Sequence, residues 1–361
     1  MDFEAVVVGG GVLGLAISKK LSEKFDTILI ERNSSFGQET SSRNSNVIHA
    51  GIYYKEKSLK AQFCKKGNKD LYRYLKERGI NYKKNGKLII SSNYDEDRDL
   101  RALKENAERN NVKLEYLNEK QTVEIEPEIK CYSSLLSVNT GVLDGHELML
   151  NFISDIEENG GIILYQNEVS FIESKGDYLE FKVKNKKRKY KTKYLINATG
   201  LSSYSLACKI KDLDKKLIPK IKLFKGNYFK LKGKSPFKKL IYPLPSKNSL
   251  GIHSTINLQN QTIFGPDEQK TREINYKVDE KRLEFFREHI SKYWPNIYDK
   301  QLFPDYSGIR GICSSDDFII QTKEVHKKNG LVNLFNINSP GLTSALAIAD
   351  YIKLNILNKK F

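Results

Sequence analysis

Cysteine is scarce in this chain: Cys64, Cys131, Cys208 and Cys313 are the only four in 361 residues, far apart, with no CxxC pair and no metal-ligand spacing. That excludes a disulfide framework and a cysteine-held metal, and the four are expected to be reduced, mostly buried thiols. Long apolar runs are also missing. None approaches the roughly 20 residues that a membrane-spanning helix requires. Met1 passes through Asp2 and Glu4 straight into an apolar stretch, without a basic region and apolar signal core, so a cytoplasmic location is expected. Internal repeats and low-complexity linkers are absent too. Because 361 residues exceed what one core usually organises, two lobes are expected, and their limits must come from the order of motifs.

Negative charge is in short supply. Against 61 Lys and Arg stand 44 Asp and Glu, a net charge of +17, and such a field favours acidic partners. The densest basic run, KVKNKKRKYKTK at 182–193, lies between the strand-like YLEFKV and KYLINATG and reads as a solvated hairpin. The competing reading is a docking patch for anionic lipid or nucleic acid. The basic residues form no stripe interleaved with aromatics, so nucleic acid is not expected as a partner.

What the chain does have is glycine at strand ends. Residues 5–14 read AVVVGGGVLG, an apolar strand entering Gly9-x-Gly11-x-x-Gly14, followed by an amphipathic helix carrying Leu13, Ile17, Leu21 and Phe25. TILIER then puts Glu31 at the end of a second strand. This is the pattern of a dinucleotide-binding βαβ unit: the glycines allow a tight turn and close backbone approach to a pyrophosphate, the helix N-terminus faces the phosphates, and the carboxylate accepts from a ribose hydroxyl.

Further along come a basic helical stretch (57–79), a strand GKLII (86–90) and a charged helix near 95–110. Asp144-Gly-His-Glu147 resembles a capping box before a helix, which makes His146 a first-turn surface residue, and IILYQNEVSFIE (162–173) reads as a strand. YLINATG (194–200) reads as a buried strand ending in a glycine turn. From 213 to 305 the pattern shifts to strands rich in Lys and Tyr (GNYFKLKG, KKLIYPLP, SLGIHSTI) and the helix DEKRLEFFREHISKYW. LVNLFNI and NSPGLTSALAIADYIKLNIL restore a strand, a glycine turn and a final helix.

A nicotinamide enzyme usually needs one glycine-rich contact and releases its cofactor. Three separated glycine turns that converge on one long ligand suit a buried, retained FAD, with Gly341, Leu342 and Thr343 starting a helix whose N–H groups stabilise negative charge on the flavin.

The strings SSRNSNVIHAGIYY (41–54), SLKAQFC (58–64), GKLII, INATG (196–200), FKGNYFKL (224–231), LIYPLP (240–245), LGIH (250–253), GP (265–266), DYSGIR (305–310) and NSPGLTSALAIA (338–349) together resemble the L-2-hydroxyglutarate dehydrogenase/oxidase family, within the D-amino-acid-oxidase-like FAD oxidoreductases. They span nearly the whole chain. The resemblance implies an α/β fold: a Rossmann-like FAD-binding domain of three pieces (1–80, 142–212 and 306–361) with an interleaved α+β substrate domain (81–141 and 213–305). It implies oxidation of L-2-hydroxyglutarate to 2-oxoglutarate by hydride transfer to flavin. The basic surface and the lack of a spanning segment point to reversible peripheral association with an anionic membrane that lets a quinone take the electrons, with oxygen as the other expected acceptor. The cofactor-binding set that the resemblance implies is Gly9, Gly11, Val12, Leu13, Gly14, Glu31, Arg32, Ser42, Asn44, Ser45, Val169, Thr199, Gly200, Gly308, Gly341, Leu342 and Thr343. Two departures stand out: Arg310 is followed by Gly311-Ile312 where the family usually has Pro-Lys, and GPD replaces GPN at 265–267.

Removing a hydride from a hydroxyl-bearing carbon leaves the hydroxyl proton for a base, and histidine suits that task near neutral pH. His289 and His326 lie in charged surroundings and read as solvated. His253, at the end of a strand, is taken as the base and His49 as the residue at the flavin ring, with the two roles open to exchange. A carboxylate needs a fixed cation, and Arg310 matches the position from which related flavoprotein oxidases clamp it. For a second substrate anchor Tyr53, Tyr54, Lys225, Tyr228 and Tyr242 are unranked. The alternatives are a glycerol-3-phosphate dehydrogenase-like enzyme, an amino-acid oxidase and, outside enzymes, an RNA-associated flavoprotein.

Overall fold

A computed structural model of the protein describes residues 1–244 and 251–357. Ser249 and Leu250, which open the expected strand SLGIHSTI, and Pro245 of LIYPLP lie outside them.

The first sheet has eight strands among the described residues. Its centre is parallel: Ile162–Leu164, Thr27–Ile30, Phe3–Val8, Lys189–Asn197 and Leu331–Phe335 lie side by side in that order. This order gives three of the sequence motifs their meaning. Val8 is level with Asn197, and Asn197 with Asn333, so the turns after these three strands open at the same edge. Ligands of open α/β sheets bind there, outside the carboxyl ends of the strands. Helix Val12–Ser22 buries Leu15, Ile17 and Leu21 and packs with Gly341–Leu357 over one face, within a core that also takes in Phe152 and Ile348. Phe25 lies beyond the helix end and meets Tyr194 edge-on at 5.6 Å.

The expected strand at 162–173 is two strands on opposite edges. Ile162–Leu164 pairs with Thr27–Ile30, whereas Val169–Ser174 pairs antiparallel with Leu179–Val183. The break falls at Gln166, whose φ of +57 turns the chain sharply. The basic run forms the hairpin between Leu179–Val183 and Lys189–Asn197, with Lys182 opposite Lys189.

The second sheet has nine strands among the described residues, built from Lys87–Ser91, Glu115–Asn118, Ser133–Ser137 and the stretch 222–312. It has its own core, in which Trp294, Phe229, Phe264 and Phe286 are fully buried. Strand Leu302–Ile312 pairs along Lys222–Leu231. Gly311 and Ile312 continue that ladder opposite Leu223 and Lys222, so the departure after Arg310 extends the strand. The other departure is answered by Arg282. Asp267 is buried, accepts from the Asn227 backbone and side chain at 2.7 and 3.0 Å, and pairs with Arg282 Nε at 2.8 Å.

Two expectations about surroundings are corrected. His326 is buried, not solvated: its Nδ1 accepts from the Lys328 N–H at 3.2 Å, and burial pushes its pKa down to about 4. Only Cys64 and Cys131 of the four free cysteines are buried; Cys313 is half-buried and Cys208 exposed. Asp144 caps helix Gly145–Glu158 by accepting from His146 and Glu147 N–H groups, but Glu147 bonds to Asn81 instead of closing a capping box, and His146 is exposed.

Candidate active site

One long cleft runs from the carboxyl edge of the first sheet to the face of the second. Its first end is made mostly of backbone. Gly9 has φ +109, and a Cβ there would stand 2.6 Å from the Ala198 carbonyl oxygen; a Cβ on Gly14 would fall 1.8 Å from the Gly9 carbonyl oxygen. Glycine is therefore required at both, Gly9 by conformation and Gly14 by helix-to-strand packing. Gly11 lies in the wall, and the Val12 N–H donates to Ser41 Oγ at 3.0 Å. Glu31 is held in place: Oε2 accepts from Gly10 N–H at 2.5 Å and Oε1 from Asn33 N–H at 2.7 Å. Each oxygen keeps a second lone pair for a hydroxyl. Beside it Arg32 pairs with Glu39.

The neighbouring strand contributes Thr199 and Gly200, with Thr199 Oγ1 donating to Asn197 Oδ1 at 2.8 Å. The third contributes Ser339, Gly341 and Leu342. Val169, Asn44, Ser45 and Gly308 complete this part of the lining. A Cβ on Gly308 would lie 2.4 Å from the Arg43 carbonyl oxygen, so glycine lets the second sheet's strand approach this loop closely.

The other end is made of side chains. Tyr242 and His253 stack at 3.8 Å between centroids and 9° between planes. His253 lies just before strand Ser254–Ile256, not at the end of one, and carries further bonding of its own. Tyr228 stacks on Tyr306 at 4.3 Å, with its hydroxyl 3.3 Å from Ser45 Oγ. The Arg310 guanidinium is 3.2 Å from the Glu268 carboxylate. His49 presents Nε2 to Ser339 Oγ at 3.3 Å, and its backbone N–H donates to Thr343 Oγ1 at 3.0 Å. Burial, reinforced by the nearby Lys87 cation, pushes the His49 pKa down to about 3, so its imidazole is neutral near physiological pH.

His49, His253, Arg310, Tyr228 and Tyr242 thus share one cleft with most of the glycine-turn residues. Six residues named from the sequence are not in its lining. Gly14 packs inside the βαβ unit, Ser42 points to solvent, and the Thr343 hydroxyl is occupied by His49 and Val47. Tyr53 and Tyr54 stand behind the lining, and Lys225 is also outside it.

These geometries agree with what the chain resembles. The family profile described as FAD dependent oxidoreductase matches residues 4–353. A mitochondrial L-2-hydroxyglutarate dehydrogenase of Arabidopsis thaliana is 37% identical over 397 residues, covering 97% of this chain and 82% of the plant protein. The chain belongs to the L-2-hydroxyglutarate dehydrogenase family of FAD-dependent oxidoreductases. A glycerol 3-phosphate dehydrogenase of Caloramator mitchellensis is 28% identical, over 97% of this chain and 73% of its own length. The FAD-bound, dithionite-reduced L-α-glycerophosphate oxidase of Mycoplasma pneumoniae shares the fold, with a TM-score of 0.88 at 24% identity over 99% of this chain and 94% of that one.

Members of this family are oxidoreductases, and FAD is the cofactor. The cleft fits it: a bare glycine edge formed by three adjacent strands, a fixed carboxylate at Glu31 and, in the same wall, Arg43. The Arg43 Nε is buried with no hydrogen-bond partner among the described residues, while its guanidinium lies 4.0 Å from the Tyr276 ring centroid. A buried donor of this kind is satisfied by an incoming anion. Arg43, Ser339, Glu268 and Lys87 escaped the sequence reading. Lys87 in GKLII is the one with a visible signal, a charged residue opening an otherwise apolar strand.

Proposed function

We propose that the chain oxidises L-2-hydroxyglutarate to 2-oxoglutarate. The observation that carries this reading is the meeting of a histidine, His253, and a carboxylate-binding cation, Arg310, at the side-chain end of a cleft whose other end is a dinucleotide cradle. Residues 1–80, 142–212 and 306–361 serve the cofactor, and 81–141 and 213–305 the substrate; the cut at 306 passes through strand Leu302–Ile312. Gly9, Gly11, Glu31, Arg43, Thr199, Gly200, Gly341 and Leu342 hold FAD.

Bound FAD supplies a two-electron acceptor for the hydride leaving C2. Arg310 takes the C1 carboxylate in its two-pronged fork, displacing Glu268. His253 accepts the hydroxyl proton as the carbonyl forms, held flat by its stack on Tyr242. His49 is a poor base, because an imidazole whose pKa is near 3 scarcely binds a proton at neutral pH. Its neutral ring, hydrogen-bonded to Ser339, would help to hold the flavin.

Turnover with L-2-hydroxyglutarate should yield one 2-oxoglutarate per substrate consumed, with far slower turnover of glycerol 3-phosphate and amino acids. Efficient oxidation of glycerol 3-phosphate, the substrate named for the Caloramator relative, with none of the hydroxy acid would replace this reading.

We place the electron acceptor, quinone or oxygen, within reach of a peripheral association with anionic lipid through the basic hairpin 182–193. No helix among the described residues is long and apolar enough to cross a membrane. Binding to anionic vesicles should weaken as salt rises. Absence of co-sedimentation even in low salt would remove the membrane and leave a soluble acceptor.

A further inference from the structure

Lys87 opens strand Lys87–Ser91 in the interior of the second sheet, between Leu240 and Ser137. Its side chain is 1% exposed, and no carboxylate among the described residues pairs with it. Its ammonium instead lies 4.4 Å from the Tyr242 ring centroid and 4.8 Å from that of Tyr53, with the Tyr53 hydroxyl at 3.5 Å. Tyr242 is the ring on which His253 stacks, and both line the cleft. The other titratable groups around this cation are His49, Tyr54 and Cys64, which bring no negative charge near neutral pH.

Burying an ammonium without a counterion is costly, and an apolar side chain of equal length would be more stable at this position. Cation–π contact with two tyrosines offsets only part of that cost. Burial also pushes the Lys87 pKa down to about 7, the mark of a cation lacking an anionic partner inside the protein. At that pKa the amine is charged in about half of the molecules near neutral pH, and a carboxylate in the cleft beyond Tyr242 raises that share. Arg310 supplies one cation there, facing the solvent-accessible Glu268; Lys87 supplies a second behind the aromatic wall.

We propose that Lys87 is a specificity-determining, positioning residue that makes this cleft prefer a hydroxy acid carrying a second carboxylate, acting through the Tyr53–Tyr242 wall. Arg310 holds the carboxylate next to the reacting carbon, and the field of Lys87 favours the distal one without contact. A single charge acting across a wall of low polarity is enough for roughly tenfold selectivity. The inference rests on the hydroxy-acid reading of the site but is tested without turnover.

The test titrates the FAD-loaded enzyme with glutarate and with butyrate, unreactive acids that differ by one carboxylate, and follows the flavin absorption spectrum. Wild type should bind glutarate at least about tenfold more tightly than butyrate. In Lys87→Met and Lys87→Gln the preference should fall to within about twofold, with butyrate affinity, FAD content and thermal stability retained. Glutarate preference surviving in either variant overturns the role of Lys87 alone. Parallel loss of butyrate binding, FAD or stability in both variants means structural support, and overturns it as well. Equal binding of the two acids by wild type overturns the dicarboxylate substrate together with it.

Discussion

At the cofactor end of the cleft the contacts come from backbone: three parallel strands finish level with one another, and the turns beyond them are bare because glycine stands at Gly9, Gly11, Gly200 and Gly341. At the substrate end they come from side chains delivered by segments far apart in sequence, among them His49, Tyr242, His253 and Arg310. A backbone cradle tolerates no added atoms but asks little of chemistry. A side-chain site tolerates substitutions in shape yet depends on the identity of each functional group. The two ends should therefore fail differently when altered, one by losing the cofactor and the other by losing rate or selectivity.

The largest effect is expected at the cradle. Gly11→Val should abolish FAD retention, because even a Cβ there would come within 3.0 Å of Ser41 Oγ and a branched side chain would fill the space the pyrophosphate requires. Flavin absorbance per chain after purification reads this out. Normal FAD content would break the comparison at once.

His253→Ala should keep its flavin and lose about a hundredfold to ten-thousandfold in flavin reduction rate, the usual cost of a missing general base. His49→Ala should lose less. The reverse order in rapid-mixing experiments would exchange the two histidines.

Arg310→Lys should lower kcat/KM about tenfold or more, since an ammonium cannot reproduce the planar fork. Glu268→Gln should act in the opposite direction, lowering KM about two- to threefold by freeing Arg310 from an exposed, weak ion pair. An unchanged KM in Glu268→Gln would mean that the substrate carboxylate does not compete for that guanidinium.

The smallest effect lies away from both ends. His326 is folded in its neutral form with a pKa near 4, against about 6.5 when unfolded, so the unfolded chain binds the extra proton between those values. Stability is full above pH 6.5 and falls as the pH drops towards 4, by about 1–2 kcal/mol once partial access of water is allowed for. His326→Gln should flatten this part of the Tm-against-pH curve while leaving FAD binding and rate alone.

The same contrast explains how much was legible beforehand. Gly9, Gly11, Gly14 and Glu31 stand in one continuous stretch with fixed spacing, and the strand order then brings 199–200 and 341–342 to them. Lys87 and Tyr242 meet only because Lys87–Ser91 and Leu240–Pro243 pair in parallel, a register set by tertiary packing more than 150 positions apart in the chain. The burial of His326 is likewise tertiary, since its own segment is basic and polar. The failed strand at 162–173 turned on Gln166, whose positive φ has no strong sequence marker, unlike a glycine.

The account is tested most directly by anaerobic flavin reduction with single substrates. L-2-Hydroxyglutarate should bleach the flavin completely and release 2-oxoglutarate, whereas the D-isomer, L-glutamate and glycerol 3-phosphate should leave it oxidised over the same interval. Bleaching by glycerol 3-phosphate or an amino acid, with the flavin left oxidised by L-2-hydroxyglutarate, would contradict it.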